Sequence, residues 1–198
     1  MGRKSVNKLM NRDRLAMTAV SRCGFCTKQH LNNYIKDSRI NSYERAGWLK
    51  KETIVSNQNE KVTAYKLTGE GKKVLEKNFG VKQHYKEQSI SHDLKIADKY
   101  FSLSENERES WRTETQIRSE FNEKLQEIKI QEYDRYQQIL EDIREGLYSM
   151  PDCAYTTEQG IEVYFEATTS NYGIAELEAK ERVIEIVKEE NTRYETSR

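Results

Sequence analysis

The sequence contains one group of side chains at a spacing typical of metal ligands. Cys23 and Cys26 are separated by two residues, and His30 follows four positions after Cys26. A structural zinc ion normally takes four protein ligands, and no second pair stands at a matching spacing. The cysteines fall where one predicted helix ends and the next begins, a place where small, partly apolar side chains pack well. We therefore expect core cysteines and no metal site here.

A second set of residues carries donors for phosphate oxygens and base edges. Four of them lie on the outward faces of the third predicted helix: Arg39, Asn41, Ser42 and Arg45. Arginine and asparagine form the bidentate hydrogen bonds that distinguish bases in the major groove. Further groups suited to phosphate or minor-groove contacts lie on a predicted β-hairpin, an N-terminal arm and the second helix: Lys50, Lys51, Asn57, Gln58, Asn59 and Lys61, then Arg3 and Lys4, then Lys28. These residue types favour duplex DNA as the partner.

The chain is neutral overall but strongly polarised. It has 33 Lys and Arg and 33 Asp and Glu, yet residues 1–88 hold 19 of the basic and 8 of the acidic residues. Residues 89–198 hold the remaining 14 basic and 25 acidic residues. A basic half favours a polyanionic partner such as nucleic acid, although solvated faces also carry charge.

Composition and cysteine number predict the compartment. The three cysteines cannot all pair, and no N-terminal apolar segment resembles a signal peptide. No run approaches the roughly 18 apolar residues of a membrane span. We therefore expect a reduced, cytoplasmic protein without membrane contact, and 198 residues allow two small domains.

Apolar periodicity and turn residues predict the elements that position the basic residues. In order, they are helices at 11–23 and 27–35, a turn at 36–38, a third helix that ends at Gly47, strands at 47–56 and 61–68, and a helix from Gly69. Helices around a tight turn form a helix-turn-helix, and the hairpin behind it is a wing. The stretch "YKLTGEG" at 65–71 resembles the end of the wing in winged-helix DNA-binding domains, over about residues 10–80. The resemblance implies DNA binding, although such domains also dock proteins.

The acidic half predicts a second set of elements. They are a linker at 81–91, a helix from 92, a strand at 109–119, a long helix at 119–147, strands at 153–157 and 161–168, and a helix at 173–191. Apolar residues of the 119–147 helix recur at steps of three and four, which fits either an intramolecular core or a dimer seam. No further strand is evident after the last helix.

This order of elements resembles the core of PD-(D/E)xK nucleases. More narrowly, a winged helix followed by four short motifs is similar to the replication-relaxation family of plasmids and conjugative elements: "HDL" at 92–94, "WRTE" at 111–114, "PD" at 151–152 and "EVYFEAT" at 162–168. The resemblance implies that Asp152 and Glu166 are the acids of the nuclease motif, with Glu114 as a helper carboxylate. In an active nuclease, Asp152 and Glu166 would hold a divalent cation.

The sequence departs from the nuclease motif at one position. Thr168 stands where the motif has a lysine that supports the developing negative charge. Lys180 in the following helix could substitute for it, or it could be a surface lysine. Glu162 and Glu166 share one strand face and could form a solvated edge. The departure favours a nuclease-like domain without catalysis.

The sequence therefore predicts an α+β protein with an N-terminal winged helix-turn-helix at 1–80, a linker at 81–91 and an acidic nuclease-like α/β domain at 92–198 with a helical insertion at 119–147. The resemblance implies a DNA-binding protein of a plasmid, phage or conjugative element, acting in replication, transfer or transcription control. Its acidic domain would form a homodimer or bind a partner protein, without a cofactor.

Two alternatives remain open at this point. One is a metal-dependent endonuclease that uses Glu114, Asp152, Glu166 and Lys180. The other is a protein-interaction module that inhibits another nucleic-acid enzyme, with the acidic half imitating DNA.

Overall fold

The computed structural model describes residues 6, 8–55, 59–168, 173–188 and 191–197. Within these ranges the chain is of the α+β class, with nine helices and two small sheets. It divides into two compact units, Met1–Leu103 and Ser104–Arg198, called the N-terminal and C-terminal units below. Among the described helices, none combines the length and the apolar composition that a membrane crossing requires.

The N-terminal unit combines helices with a three-stranded antiparallel sheet. Its described elements are α1 (Asn11–Cys23), β1 (Cys26–Thr27), α2 (Lys28–Leu31), α3 (Asp37–Ala46), β2 (Leu49–Val55), β3 (Lys61–Leu67), α4 (Gly69–Phe79) and α5 (Ile90–Ser102). The middle strand is β3, with β1 on one side and β2 on the other. Leu49 pairs with Leu67 and Val55 with Lys61, so β2 and β3 form the antiparallel pair that the alternating pattern predicts.

Short polar residues and glycines set the ends of these helices. Thr27 caps α2, because its hydroxyl accepts the His30 backbone N–H at 3.2 Å. Gly47 ends α3 with φ 76°, in the left-handed region that glycine tolerates. The Thr68 hydroxyl accepts the Gly71 N–H at 3.0 Å and donates to the Gly47 carbonyl at 2.5 Å. One threonine therefore caps α4 and fixes the junction between α3 and the hairpin.

Residues 81–91, predicted as a linker, lie inside the N-terminal unit instead. Tyr85 is buried, and its backbone N–H donates to the Ser21 carbonyl at 2.8 Å. The two ring nitrogens of His84 contact the Ser21 hydroxyl at 2.7 Å and the Glu76 carboxylate at 3.1 Å. The segment is polar enough to suggest a linker, but the backbone of Tyr85 and the side chain of His84 anchor it to α1 and α4.

Helix α5 also belongs to the N-terminal unit, so the boundary follows Leu103 and not the predicted linker. The Ser89 hydroxyl caps this helix by accepting the His92 N–H at 3.3 Å. Ile90 then packs against Phe25 and Ala64 in one apolar cluster. Burial of this apolar surface against the sheet attaches α5 to the N-terminal unit.

The C-terminal unit combines helices with a four-stranded mixed sheet. Its described elements are α6 (Glu105–Glu109), β4 (Arg112–Thr113), α7 (Glu114–Gln131), α8 (Tyr133–Arg144), β5 (Cys153–Thr156), β6 (Glu162–Ala167), α9 (Ile174–Val187) and β7 (Thr192–Ser197). The strand order is β4-β5-β6-β7; only the β6–β7 pair is parallel among these described strands, with α9 as its crossover. Apolar residues of α7, α8 and α9 pack with Ala154 and Tyr164 of the sheet in one core.

The prediction of a strand over residues 109–119 is wrong except at two residues near its centre. Only Arg112 and Thr113 pair as a strand, and the chain turns helical at Glu114. Thr113 begins the helix, because its backbone N–H donates to the Gln116 side chain at 3.0 Å. Ile117 is buried in the core that α7 shares with the sheet, so its burial follows helical and not strand spacing.

The predicted continuous helix at 119–147 is also wrong, because two helices occupy the region. The break falls at Glu132, whose φ of −139° and ψ of 69° are not helical. Phe121 of α7 and Ile139 of α8 lie in the same core, so the apolar stripe is mainly intramolecular. Ile130 and Tyr133 flank the break and are 85% and 59% exposed.

A further strand follows the last helix, contrary to the sequence prediction. Strand β7 pairs in parallel with β6, with Tyr164 opposite Tyr194 and Glu166 opposite Thr196. Its sequence, "TRYETS", is polar and gives a weak strand signal. Backbone pairing at the edge of the sheet forms the strand in spite of that composition.

Candidate nucleic-acid interface and carboxylate–lysine cluster

Helix α3 presents part of the predicted polar set to solvent. Ile40 and Tyr43 are buried and fix the helix against the N-terminal unit. Asn41 and Arg45 are exposed on its outer side. Ser42 is half-buried, and its hydroxyl donates to the Ser38 carbonyl at 2.8 Å. Asn41 and Arg45 are therefore the two residues of the predicted set on this helix that are exposed.

Arg39, a predicted base contact, forms hydrogen bonds within the N-terminal unit. Its Nε donates to Asp13 Oδ1 at 3.0 Å, and its Nη2 donates to Asp13 Oδ2 at 2.7 Å. The same Nη2 donates to the Lys8 carbonyl at 2.6 Å. The Tyr43 hydroxyl donates to Asp13 Oδ1 at 2.5 Å. Arg39 is therefore part of a structural network that joins α1 to α3.

Asp13 is the centre of that network and was not among the predicted site residues. Burial alone raises the pKa of its carboxyl group, but hydrogen bonds from Arg39 and Tyr43 outweigh this and hold the pKa below the ordinary 3.8. Burial, followed by the hydrogen bond to Asp13, raises the pKa of Tyr43. The carboxylate is thus ionised and fully satisfied at neutral pH. A single acidic residue in a basic segment is the sequence signal that could have indicated it.

Two predicted phosphate contacts are occupied by exposed ion pairs. Lys28 contacts Asp37 at 2.5 Å, and Lys50 contacts Glu52 at 2.9 Å. Solvent screens exposed pairs of this kind and they add little to stability, so a phosphate can compete for either lysine. These two lysines remain candidates for phosphate contacts.

The β2–β3 pair presents two further cations. Lys51 and Lys61 are exposed, and the register places both on the face that also carries Thr53 and Thr63. The two threonine hydroxyls lie 3.1 Å apart. Asn59 is exposed with φ 63°. Four residues of the predicted set fall outside the described ranges: Arg3, Lys4, Asn57 and Gln58.

His30 is directed to partners other than the two cysteines beside it in the sequence. Its Nε2 contacts Asp98 at 2.9 Å, and its Nδ1 lies 3.3 Å from the Thr27 backbone nitrogen. The ring stacks on Phe101 with centroids 4.9 Å apart. Cys23 and Cys26 are buried as free thiols, and their burial agrees with the expectation that they pack in the core.

In the C-terminal unit the fold brings together three residues that the nuclease resemblance singled out. Asp152 precedes β5, Glu166 lies on β6, and Lys180 lies on α9. Lys180 Nζ donates to Glu166 Oε1 at 2.9 Å. The Asp152 backbone N–H donates to Glu166 Oε2 at 3.1 Å, and Asp152 Oδ2 accepts the Ala167 N–H at 2.8 Å. Strand pairing and the crossover helix together position the cluster.

The structure decides between the two interpretations of Lys180. Its side chain is only 7% exposed and that of Glu166 is fully buried, so the surface-lysine alternative is wrong. Thr168, at the motif's lysine position, donates its hydroxyl to the Ser197 carbonyl of β7. The lysine comes from α9, which is hydrogen-bonded to residues 149 and 150 just before β5.

The two other glutamates have separate partners. The carboxylate of Glu114 accepts a hydrogen bond from Arg118 at 2.6 Å, while its backbone N–H donates to the Asp152 carbonyl at 3.0 Å. Glu162 forms an ion pair with Arg112, so the solvated acidic edge proposed for Glu162 and Glu166 is wrong. The structure therefore gathers Asp152, Glu166 and Lys180, with Glu114 beside them through its backbone.

The cluster has the donor chemistry of a hard-cation site. A carboxylate oxygen of Asp152 lies within 4.8 Å of one of Glu166, and carboxylates are the ligands that Mg²⁺ and Ca²⁺ prefer. Burial, and then the charge of Glu166, raises the pKa of Tyr194 on neighbouring β7. Three of the four carboxylate oxygens of this pair already accept hydrogen bonds. Two of these bonds come from backbone N–H groups and the third comes from the Lys180 ammonium group. The carboxylates of Asp152 and Glu166 are therefore suitable ligands for a divalent cation, but the ammonium group of Lys180 already contacts one of their oxygens.

Comparisons with known proteins add no assignment: no family model matches the chain, and neither a curated protein nor a solved structure matches it. The geometry of the exposed residues on α3 and the β2–β3 pair, and that of the buried carboxylate–lysine cluster, are therefore the basis for assigning a function.

Proposed function

We propose that the N-terminal unit is a winged helix that binds duplex DNA. The observation that supports this proposal is the order α1–β1–α2–α3–β2–β3 with a β1-β3-β2 sheet, which resembles the arrangement of winged-helix domains. In such an arrangement α3 enters the major groove and the β2–β3 hairpin lies along the backbone. Asn41 and Arg45 of α3 then meet base edges, and Lys51 and Lys61 meet phosphates.

The charge of the N-terminal unit supports a polyanionic partner. Residues 1–103 hold 21 Lys and Arg against 10 Asp and Glu, whereas residues 104–198 hold 12 against 23. A positive unit attracts DNA at long range, and each neutralised phosphate releases counterions. In the proposal, the C-terminal unit pairs two copies or binds a partner protein. The setting in plasmid, phage or conjugative-element replication, transfer or transcription follows only from the sequence resemblance.

Removing the exposed cations is expected to weaken binding to any duplex. The triple variant Arg45→Ala/Lys51→Ala/Lys61→Ala should lose at least about tenfold in affinity for random duplex DNA at low salt, because it loses one base-edge and two phosphate contacts. Fluorescence anisotropy of the full chain measures this loss. The charge-matched control is Lys124→Ala/Lys129→Ala/Arg135→Ala in the C-terminal unit, which should bind like the original protein. Equal losses in both variants would argue against the proposed interface.

One observation favours a second candidate function, metal-dependent cleavage of DNA. Thr168 occupies the position at which the nuclease motif has a lysine, but the fold places Lys180 beside Glu166 and so provides a positive charge at the pair. Asp152 and Glu166 would hold the divalent cation, which when bound polarises a phosphodiester and activates water. Lys180 would stabilise negative charge beside Glu166.

Incubation of supercoiled plasmid with the full chain and Mg²⁺ or Mn²⁺ separates the two functions. The DNA-binding proposal expects no nicking above the level of an Asp152→Asn variant. Nicking that Asp152→Asn abolishes, with DNA affinity unchanged, would make the endonuclease the better account.

A further inference from the structure

The ammonium group of Lys180 has an acceptor for each of its three N–H bonds. Nζ lies 2.9 Å from Glu166 Oε1, 2.8 Å from the Met150 carbonyl oxygen and 3.4 Å from Ser149 Oγ. An ammonium group has three donors and no acceptor, so this set matches its hydrogen-bonding capacity. The first two contacts have the length of charge-assisted hydrogen bonds, and the third is longer.

These contacts also attach α9 to the segment that leads into β5. Lys180 reaches the Met150 carbonyl from the helix, and the Ser149 backbone N–H donates in turn to the Ala179 carbonyl at 3.0 Å. The helix and the segment are therefore bonded in both directions at adjacent residues. Displacement of the ammonium group would break its contacts with the Met150 carbonyl and the Ser149 hydroxyl.

The carboxylates require a positive charge where they stand. Glu166 has no exposed surface, and Asp152 is almost fully buried. A buried carboxylate without a counter-charge is strongly unfavourable, whereas backbone donors satisfy only part of its demand. Here the Asp152 and Ala167 N–H groups supply the backbone donors, and Lys180 supplies a full positive charge.

We infer that Lys180 is the resident cation of the Asp152–Glu166 pair, so that a divalent cation binds there only when the lysine is displaced or removed. A metal ion on Glu166 Oε1 would stand about 2.0–2.6 Å from that oxygen. The ammonium nitrogen already lies 2.9 Å from the same oxygen, so the metal ion and the ammonium group would share one oxygen atom, and two cations that share one atom repel strongly in a buried site. The lysine thus holds a latent carboxylate site closed. This inference does not depend on DNA binding by the N-terminal unit.

Thermal unfolding of the full chain with chelator, Mg²⁺, Mn²⁺ or Ca²⁺ tests the inference. The original protein is expected to show the same Tm in all four conditions. Lys180→Ala should unfold at a lower temperature in chelator, and a cation at about 100 times its Kd should raise that Tm by about 5 °C or more. In Lys180→Ala/Glu166→Gln the rise should disappear, because one ligand has lost its charge.

Two further variants separate loss of the lysine charge from loss of its volume and from a general effect of substitution on α9. Lys180→Met also removes the charge but fills the space, so its cation-dependent rise in Tm should be smaller than that of Lys180→Ala. Arg182→Ala lies on the same helix with a more exposed side chain, and it should respond to cations like the original protein. If Lys180→Ala is unfolded in chelator, its far-UV circular dichroism should return when Ca²⁺ is added.

The results that would overturn the inference are equally direct. A Tm rise in the original protein as large as in Lys180→Ala would show that the lysine does not exclude the cation. A Lys180→Ala variant without any gain in Tm or helicity would show that the carboxylates form no latent site. DNA affinity measured on the same proteins separates both outcomes from failure of the proposed function, because Lys180 lies in the C-terminal unit.

Discussion

Asp13→Asn is expected to destabilise the N-terminal unit by about 3 kcal/mol at neutral pH. Asp13 is fully buried and accepts hydrogen bonds from Arg39 and the Tyr43 hydroxyl. Asparagine has a similar shape but lacks the charge, and its NH₂ group would face these donors. Arg39 would then keep a positive charge that is only 24% exposed and lacks its counter-ion. The loss follows from leaving that charge and the tyrosine hydroxyl incompletely paired.

This effect has a defined pH dependence. The folded-state pKa of Asp13 lies below its ordinary 3.8, so the carboxylate stabilises the fold fully above that value. The stabilisation is lost as the pH falls through the lower folded-state pKa. The difference in stability between the original protein and Asp13→Asn should therefore be constant near neutrality and shrink at pH values below about 4.

Urea unfolding followed by tryptophan fluorescence measures the change in the correct unit. The chain has two tryptophans, and Trp111→Phe leaves Trp48 as a reporter of the N-terminal unit. In that background, Asp37→Asn is the matched control, because Asp37 is a half-exposed acid at the start of α3. The control should change stability little. Equal stabilities of the Asp13 and Asp37 variants would contradict the role assigned to the network.

Gly71→Ala is expected to destabilise the same unit by about 2–3 kcal/mol net. A Cβ atom at Gly71 would lie 2.2 Å from the Trp48 carbonyl oxygen. That oxygen accepts the Thr68 N–H at 3.0 Å, so it cannot retreat without loss of a bond at the base of the hairpin. Alanine favours a helix over glycine by about 1 kcal/mol, but this gain is smaller than the cost of the displaced backbone.

Gly69→Ala provides the control for the Gly71 variant. Gly69 lies in the same helix, two residues earlier, and an added Cβ would meet no described atom within 4 Å. In the same urea experiment, this variant should be neutral or slightly more stable than the original protein. Equal stabilisation of both alanine variants would contradict the close contact between the α4 backbone at Gly71 and the Trp48 carbonyl at the α3–β2 junction.

The local signals in the N-terminal half were sufficient to predict most of its elements. Gly47 ends α3, and Thr68 and the glycines after it start α4, because caps and left-handed turns depend on neighbouring residues. Strand β1 was missed because Cys26 and Thr27 form only two pairs with β3. Two residues carry no periodic pattern, so only the tertiary pairing makes them a strand.

The errors in the C-terminal half arose where distant residues decide the structure. The 119–147 pattern fits one helix by period, yet the chain breaks at Glu132 so that α8 can pack against α7 in the core. The polar strand β7 exists because β6 offers it an edge. Neither feature can be read from the local sequence, since both depend on partners far along the chain.

The site residues show the same division. The exposure of Asn41 and Arg45 follows from helical spacing around Ile40 and Tyr43. Arg39 and Asp13 form an ion pair although they are 26 positions apart in the sequence, so the spacing of residues on α3 could not predict this contact. The position of Lys180 beside Glu166 likewise depends on how the crossover helix lies on the sheet, and the sequence left it open.

The salt dependence of DNA binding tests the central claim most directly. Affinity of the full chain for random duplex is measured across a salt series, together with that of Lys51→Ala/Lys61→Ala. The account predicts a linear fall of log K with log salt, with a slope that is smaller in magnitude by about 2 for the double variant. Absence of binding at low salt would contradict the assignment of the hairpin and α3 as the DNA-binding surface, and the same slope for both proteins would contradict the phosphate contacts assigned to the hairpin.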